Sequence, residues 1–417
     1  MNPVYLVLAL ILSFIYIWVL YNTPILAVGI RRMRSMNLKG EKEEACRRSL
    51  PTVSIVVPVK DEEKVIGRLL TALLKLNYPS NKREIIIVED ASRDKTPEIC
   101  RRVAEQHSGC VKFFHRSLSN GKPSALNFGF QQAHGDIVAI FDADNVPEPD
   151  VLLRAVKYFD DHSVAAVQGT TSVINADENM LTKFISYEEA VWLKSYLQGK
   201  DALNLFVPLT GSCQFIRRDV AEKVGNWDED CLAEDLEMSA KITQKGYNIK
   251  YAPDVVSWQE APSSLTQMIK QRIRWFRGYM DVAVKYGHFL KNLEKRSIDA
   301  EITLMGPYVL TLFFVSYLIS FYASLFPFQP DSVFTMMSRF TLLLTTVTLL
   351  IAGIALMYAT KPRRIKNVLW LPFIYAYWSI QSTLAAYAFF QVISRRQKRW
   401  VKTIKTGICT EKKLTKL

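Results

Sequence analysis

Hydrophobic positions divide the chain into an apolar first segment, a central region of mixed texture and an apolar last third. The first apolar run, residues 3–30, is long enough to cross a bilayer and ends at the basic cluster that begins with Arg31. Because no small-residue cleavage site follows a short apolar core, residues 1–30 are predicted to be a permanent transmembrane anchor rather than a removed signal peptide. A charged linker is expected over residues 31–50.

In the central region, short apolar runs alternate with amphipathic stretches. This alternation favours an α/β fold, in which helices cover both faces of a parallel sheet. The predicted domain covers residues 51–260, and amphipathic interface helices follow over 261–300. The predicted strands lie at 53–58, 85–88, 111–114, 137–141, 164–168 and 214–216, and the predicted helices at 62–76, from Thr96, and at 123–132, 151–159, 180–198 and 234–246.

The last third contains apolar stretches at 304–328, 340–360 and 368–393, so transmembrane helices are predicted within 301–394. If all of them cross together with the anchor, the C-terminus lies on the opposite side of the membrane from the domain. That conflicts with the basic run at 395–399, because basic residues prefer the cytosolic side.

One of the C-terminal stretches is therefore expected not to cross. Pro372, Ser379 and Gln381 interrupt residues 368–393, which we predict to be re-entrant, interfacial or a broken hairpin. The basic tail, residues 395–417, would then share the domain's compartment.

Composition points to a membrane rather than to nucleic acid. The net charge is +13, but 49% of residues are hydrophobic and the basic clusters flank apolar stretches, so we expect membrane lipid and no nucleic acid as a partner. No pair of the six cysteines has metal-ligand spacing, and a chain of this size needs no disulfide framework. A reducing, cytosolic location of the domain is therefore expected.

Charged side chains follow each of the first four predicted strands. Glu62 follows the first, Asp90 the second, Lys122 the third, and Asp142 and Asp144 the fourth. The carboxyl ends of parallel strands meet at one edge of a sheet, where α/β proteins bind ligands. Two aspartates separated by one residue suit a hard divalent cation, although an ordinary Asp-rich turn is the simpler interpretation of that pair.

Two further groups lie downstream. Glu234 and Asp235 begin a predicted amphipathic helix. Either the helix dipole favours acidic residues at this end, or one of them supplies a general base. Gln271, Arg274 and Trp275 share a face of another predicted helix, as positions three and four apart do. An arginine there suits phosphate and a tryptophan suits a sugar ring, whereas a basic amphipathic helix lying on lipid explains the same residues.

These motifs, in this order, resemble the membrane-embedded family 2 glycosyltransferases, which include the cellulose, hyaluronan, chitin and poly-N-acetylglucosamine synthases. The resemblance spans roughly residues 51–278 and rests on 58–62, 89–92, 121–127, 142–144, 233–235 and 271–275. It implies a Rossmann-like, nucleotide-sugar-binding domain of the GT-A type, inserted between transmembrane helices.

The resemblance also implies roles for individual residues. Glu62 and Asp90 match positions that contact uridine, and Lys122 lies near the nucleotide. Asp142 and Asp144 match the motif for Mg²⁺ or Mn²⁺ and diphosphate, and Asp235, beside Glu234, matches the base. Gln271 and Arg274 match the diphosphate clamp and Trp275 the acceptor platform, while Trp400, Thr403 and Lys405 resemble a gating loop that closes over the nucleotide.

Departures from the family's motifs narrow the range of products that the resemblance implies. Ala233 stands where cellulose-type enzymes have threonine, and the motif also differs from the Gly-Asp-Asp-Arg form of hyaluronan synthases, which argues against a hyaluronan product. Asp61 stands where asparagine is usual. The aromatic residues Tyr308, Tyr317, Tyr322, Tyr375 and Tyr377 would either line a polymer path or form an interfacial belt.

The expected function is inverting, metal-dependent transfer of a hexose or N-acetylhexosamine from a UDP-sugar to a growing β-linked polysaccharide, which is exported across the membrane. Single addition to a membrane lipid acceptor is the alternative within the same class. A non-catalytic nucleotide-binding scaffold or sensor is the alternative of another class. The protein is expected in the plasma membrane, with its catalytic domain in the cytosol.

Overall fold

The first half of the central domain is a parallel sheet whose three inner strands carry almost no polar alternation, whereas the edge strand is only partly buried. The computed structural model describes residues 3–38, 49–287, 294–325, 332–359, 369–398 and 400–410. Every residue of strand β1 is buried, as both faces of the strand are covered. The strands run in the order β3-β2-β1-β4 and all pair in parallel. They are β1 (Val53–Val59), β2 (Arg83–Asp90), β3 (Val111–Arg116) and β4 (Ile137–Ile140).

Helices cover both faces of this sheet, as predicted. One apolar core lies under α2, α3 and a later helix α5, and a second core lies under α4 and α9. Helix α2 is shorter than the predicted 62–76, because the backbone N–H groups of Glu62 and Glu63 donate to Thr96 and Asp94 instead of entering a helix. The helices are α2 (Ile66–Leu74), α3 (Thr96–Gln106), α4 (Lys122–Gln131), α5 (Val151–Lys157), α8 (Arg218–Val224) and α9 (Glu234–Gln244).

The second half of the sheet is mixed, which corrects the expectation of a parallel sheet throughout. Strand β7 runs antiparallel to both β4 and β6, and the complete order is β3-β2-β1-β4-β7-β6-β8-β5. The loop before β7 lies at the carboxyl edge of β4, where Ser212 accepts a hydrogen bond from the N–H of Asp142, so the strand that follows must run back down the sheet. These strands are β5 (Val146–Pro147), β6 (Val164–Val173), β7 (Gln214–Arg217) and β8 (Asn248–Gln259).

Helix α1 (Pro3–Leu38) docks against the domain and extends eight residues beyond the predicted anchor, into the predicted linker. The rest of that linker, 39–48, lies outside the described residues. Helix α1 packs against a continuous helical segment, which is made of α6 (Met180–Val191), a π-helical turn (Trp192–Leu197) and α7 (Gln198–Ala202). A Cβ at Gly29 would lie 1.7 Å from the Ser195 carbonyl oxygen, and one at Gly199 would lie 2.0 Å from that of Ile25. Glycine is therefore required at both positions for these backbones to touch.

The last third is helical, as predicted. Among the residues that the structure describes, two helices are long and apolar enough to cross a membrane: Thr335–Met357 in this last third, and Leu6–Ser35 near the N-terminus. A third candidate is the pair Lys295–Leu304 and Gly306–Tyr322, bent by 45°. The bounds are α10 (Leu265–Tyr286), α11 (Lys295–Leu304), α12 (Gly306–Leu325), α13 (Ser332–Ala359) and α14 (Leu371–Ile393).

Helix α14 is one continuous helix, so the prediction of a re-entrant or broken hairpin is wrong for this stretch. Pro372 stands in its first turn, where a missing N–H costs nothing. The helix packs along α10 and α12, and the chain then returns to the domain, where the Thr410 N–H donates to the Ile174 carbonyl at 3.0 Å. The basic run 361–364 and residues 411–417 lie outside the described part of the chain.

Candidate active site

The acids after β4 are tied to the head of α9 by a lysine. Lys122 opens helix α4, and its ammonium lies 2.8 Å from the Asp142 carboxylate and 2.9 Å from that of Glu234. It also donates to the Gly211 carbonyl at 3.1 Å. Burial disfavours its charge, but the surrounding carboxylates more than offset this and raise its pKa. One buried cation therefore joins Asp142 and Glu234, which are 92 residues apart in sequence.

The Asp144 carboxylate contacts the C-terminal tail rather than Lys122. Its Oδ2 atom lies 2.7 Å from the Lys405 ammonium and accepts a hydrogen bond from the Glu260 N–H at 3.0 Å. Although burial opposes ionisation, the charge of Lys405 and these hydrogen bonds lower the pKa of Asp144. The predicted turn is also present, since the Asn145 N–H donates to the Asp142 carbonyl at 3.0 Å. The Asp-rich turn is therefore present, and its two carboxylates still face the neighbouring lysines.

Asp235 and Glu234 begin α9 with opposite protonation behaviour. Burial, together with the neighbouring Glu234 charge, raises the pKa of Asp235 to about 7. For Glu234, burial is outweighed by Lys122, so its pKa is lowered. The Asp235 carboxylate accepts from the Leu236 N–H, at 2.9 Å, which is one of the free N–H groups in the first turn of α9. The helix-dipole interpretation therefore holds, and the raised pKa of the same carboxyl also suits a general base.

Glu62 and Asp90 lie where the first two parallel strands end. Asp90 is buried and lies 3.2 Å from the Arg116 guanidinium, and it accepts a hydrogen bond from the Ser119 hydroxyl. Glu62 lies 3.1 Å from Lys402 of the tail. Burial raises the pKa of Glu62 to about 7, against the opposing charge of Lys402.

Helix α10 lies on a further side of the site, beside the same acids. The charge of Arg274 acts on Glu234, Asp235 and Asp142, and its guanidinium lies 5.8 Å from the centre of the Trp400 ring. The Gln271 amide donates to the Thr403 hydroxyl at 3.4 Å.

Sequence reasoning missed the residues that support Trp275. The Arg272 guanidinium stacks 4.5 Å from the centre of its ring, and Glu188 holds that guanidinium at 2.5 Å. Arg272 lies within the 271–275 motif, so the sequence could have indicated it. No local signal marks Glu188 of α6 as its partner.

A single cavity of about 1050 Å³ unites these side chains and continues between α1, α12, α13 and α14. Of the tyrosines considered for a polymer path, Tyr317 and Tyr375 line it. Asp235 and Trp275 open into the same space as the paired aspartates. The lining includes every residue to which the family resemblance gave a role: Glu62, Asp90, Lys122, Asp142, Asp144, Glu234, Asp235, Gln271, Arg274, Trp275, Trp400, Thr403 and Lys405.

The donor atoms suit a divalent cation only in part. Among the described residues, no group of three or more His, Cys, Asp or Glu side chains is placed to hold a metal. Asp142 and Asp144 supply carboxylate oxygens, which Mg²⁺ and Mn²⁺ prefer, and each keeps one oxygen free of the lysines. The chemistry therefore fits, provided that further oxygens come from a bound diphosphate and water.

An α/β sheet with acids at its carboxyl edge, set between apolar helices, is the architecture of one class of protein: the glycosyltransferases of the GT-A type, which use nucleotide sugars. Residues 51–278 match the family model described as glycosyltransferase like family 2. The chain belongs to glycosyltransferase family 2 and is a hexosyltransferase that uses a nucleotide sugar.

Relatives share this domain. The chain is 33% identical over 291 residues to the probable glycosyltransferase YdaM of Bacillus subtilis, and the aligned region covers 69% of each chain. It is 34% identical over 234 residues to the beta-monoglucosyldiacylglycerol synthase of Trichormus variabilis, 55% of this chain and 49% of that one. It is 28% identical over 253 residues to the poly-beta-1,6-N-acetyl-D-glucosamine synthase of Staphylococcus epidermidis, 60% of this chain and 59% of that one.

Among solved structures, the fold resembles the mannosyltransferase PcManGT of Pyrobaculum calidifontis, determined in complex with GDP-Man and Mn²⁺. The TM-score is 0.60 at 22% identity, covering 93% of this chain and 99% of that one. At this identity the likeness concerns the fold. It confirms the predicted GT-A architecture.

Proposed function

We propose that the protein transfers a hexose or N-acetylhexosamine from a UDP-sugar to the growing end of a β-linked polysaccharide, with inversion at the anomeric carbon. The observation that carries the proposal is the position of Asp235. Its carboxylate has a pKa of about 7 and lines the same cavity as the paired aspartates and Trp275. A base with a pKa near the working pH is best suited to take a proton from an alcohol.

The reaction is a single displacement. The acceptor hydroxyl oxygen attacks the anomeric carbon while the bond from that carbon to the β-phosphate oxygen breaks, and the hydroxyl proton passes to Asp235. Lys122 and Arg274, which lie among the acids of the site, are assigned to stabilising the negative charge that develops on the departing UDP. Asp142 and Asp144 would hold Mg²⁺ or Mn²⁺, which supplies Lewis-acid charge for the diphosphate. Glu62 and Asp90 are assigned to the uridine end, and Trp275 to the acceptor sugar.

A membrane arrangement follows from the helices. We assign crossings to α1, to the bent pair α11–α12 and to α13, and place α14 at the interface, since α14 is not among the helices apolar enough to span. With three crossings the tail returns to the domain's side, in agreement with its contacts to Glu62 and Asp144. The positive-inside rule supports a cytosolic location for both, and the proposed membrane is the plasma membrane.

Single addition to a lipid acceptor is the second candidate, and the lining of the cavity favours it. Between the membrane helices the walls are largely apolar, with Leu8, Leu12, Phe313 and Leu344 among them. Such walls suit an acyl chain, while Ser316 and Ser382 add hydroxyls that suit a sugar. One relative is named for a lipid product and another for a polymer, so both acceptors occur within the family's named members.

The test is turnover by the purified, detergent-solubilised protein with a panel of UDP-sugars, Mn²⁺ and membrane lipid, measured as release of UDP. Long products on a gel support the polysaccharide synthase, and a single glycolipid supports the second candidate. The Asp235→Asn variant is expected to bind UDP but to lose turnover. UDP binding with no turnover for any sugar, and indifference to Asp235→Asn, would instead support a scaffold.

A further inference from the structure

The carboxylate of Glu260 has contacts that the proposed reaction does not use. Glu260 directly follows β8, and only 3% of its surface is exposed. One oxygen, Oε1, accepts from the backbone N–H of Thr406 and, at 2.8 Å, from its hydroxyl. The other, Oε2, accepts from the N–H of Gly407 at 3.0 Å and lies 3.7 Å from Arg68. Apart from Arg68, its partners all belong to the tail.

The backbone of the tail is shaped to hold this carboxylate. Two successive N–H groups converge on one anion, which is the arrangement of a backbone nest. Gly407 has φ +83°, a conformation that residues with a side chain rarely adopt. A Cβ at Gly407 would also stand 3.1 Å from the Lys64 carbonyl oxygen. The tail therefore requires glycine at this position in order to bind Glu260 while it crosses the loop after β1.

Anchoring at Thr406 and Gly407 fixes the residues just before them. The Lys405 ammonium lies 2.7 Å from Asp144 and donates to the Glu260 carbonyl at 2.7 Å. Three residues upstream, Lys402 pairs with Glu62 and donates to the Asp61 carbonyl. The tail thus places two cations against the acids assigned to the donor.

We propose that Glu260 is the positioning residue that anchors the tail, residues 400–410, over the donor site and so delivers Lys405 to Asp144. The inference rests on the proposed function, because the tail matters to catalysis only if this site binds a nucleotide diphosphate. With the tail anchored, the Lys405 ammonium stands where a diphosphate beside Asp144 meets it as a point charge. Glu260 acts through the tail and touches no reacting atom.

The contacts separate this role from a merely structural one. Glu260 contacts Asp144 through its backbone N–H, which a glutamine retains. Glu260→Gln therefore preserves that contact and the shape of the side chain, and removes the charge that the nest of Thr406 and Gly407 binds. Gly407→Ala breaks the same interaction from the tail, without touching the domain's interior.

Tail release is measured by trypsin cleavage after Lys402 and Lys405, followed by mass spectrometry of the C-terminal peptides from the full-length protein in detergent. Both lysines are mostly buried when the tail is anchored, at 21% and 13% side-chain exposure. Because a neutral acceptor forms weaker hydrogen bonds than a charged one, Glu260→Gln is expected to speed this cleavage about tenfold. Gly407→Ala is expected to act similarly, and the double variant no more strongly than either, since both remove one interaction.

Glu148→Gln is the matched control, because Glu148 pairs with Arg154 in the same domain, at 3.4 Å. It should leave tail cleavage within about twofold of the parent. Unchanged cleavage in Glu260→Gln and Gly407→Ala, or fully additive effects, would overturn the proposal. If Glu260→Gln unfolds, Gly407→Ala decides alone. The measurement needs no substrate, so absence of turnover with UDP-sugars would reject the proposed function without changing this result.

A kinetic readout applies once a donor is known. Loss of the anchor removes Lys402 and Lys405 from the donor site, so the KM for the UDP-sugar should rise by a larger factor than kcat falls. The reverse pattern, a fall in kcat with KM unchanged, would contradict a positioning role through the tail.

Discussion

The protonation of Asp235 gives the sharpest prediction. A base acts in its ionised form, so with a pKa of about 7 the rate of UDP release should rise with pH. Only about a tenth of the carboxylates are ionised one unit below the pKa and about nine tenths one unit above it. The acid limb of the rate should therefore have its midpoint near pH 7, well above that of an ordinary aspartate.

Glu234→Gln tests the physical cause of this limb. Burial raises the pKa of Asp235 first and the Glu234 charge second, while Lys122 lowers it; Arg274 and Tyr279 also face it. At an effective dielectric of ~20, two unit charges about 6 Å apart interact by about 3 kcal/mol, or about two pKa units. Removing Glu234 also frees Lys122 to act on Asp235. The midpoint of the acid limb should therefore move downward by about two pH units.

The assay is kcat/KM for UDP release between pH 5 and pH 9, with Glu222→Gln as the control. Glu222 is paired with Arg218 on an exposed helix surface, at 3.1 Å, and its loss should leave the limb in place. Glu62→Gln and Glu189→Gln address two further cavity-lining carboxyls whose pKa burial raises to about 7. A limb that stays fixed or moves upward in Glu234→Gln, or one that disappears in Glu62→Gln or Glu189→Gln, would refute the assignment of the limb to Asp235.

Three further predictions concern binding and stability. Asp144→Asn should lower kcat/KM at least about 100-fold and weaken Mn²⁺ binding measured by calorimetry, because a metal's charge contributes several kcal/mol; unchanged Mn²⁺ binding would exclude it as a ligand. Trp275→Ala should raise the acceptor KM about tenfold while Trp275→Tyr restores most of it, since the ring face binds the sugar, and equal loss in both would argue against stacking. Lys200→Met should lower the unfolding free energy by about 3–5 kcal/mol, because it leaves the buried Asp299 carboxylate, 2.7 Å from the lysine, without its ion-pair partner. Lys223→Met is the control: its partner Asp219, 2.8 Å away, is exposed, so the melting temperature should change little.

Local signals in the sequence determined much of the site. The carboxyl ends of parallel strands lie at one edge, so residues that follow the first four strands meet there, whatever the rest of the fold does. That rule brought Glu62, Asp90, Lys122 and Asp142 to one cavity. Helical spacing placed Gln271, Arg274 and Trp275 on the cavity side of α10 in the same way. Both are periodicities of the backbone, which any stretch of sequence carries by itself.

Other features depended on packing between distant segments. Strand β7 pairs antiparallel because of the loop that precedes it, and α14 is continuous although polar residues interrupt its sequence. The aromatic-x-x-Thr-x-Lys pattern marked the tail, but not the carboxylate that anchors it.

The sequence by itself thus determined the class of fold, the edge where the acids collect and the helix that faces them, because strand and helix periods are local. Only the tertiary structure decided that Lys122 joins Asp142 to Glu234, that Arg272 stacks on Trp275, and that Glu260 holds the tail. Such contacts join side chains from separate elements, and their energies depend on burial and charge that exist only after the chain has packed.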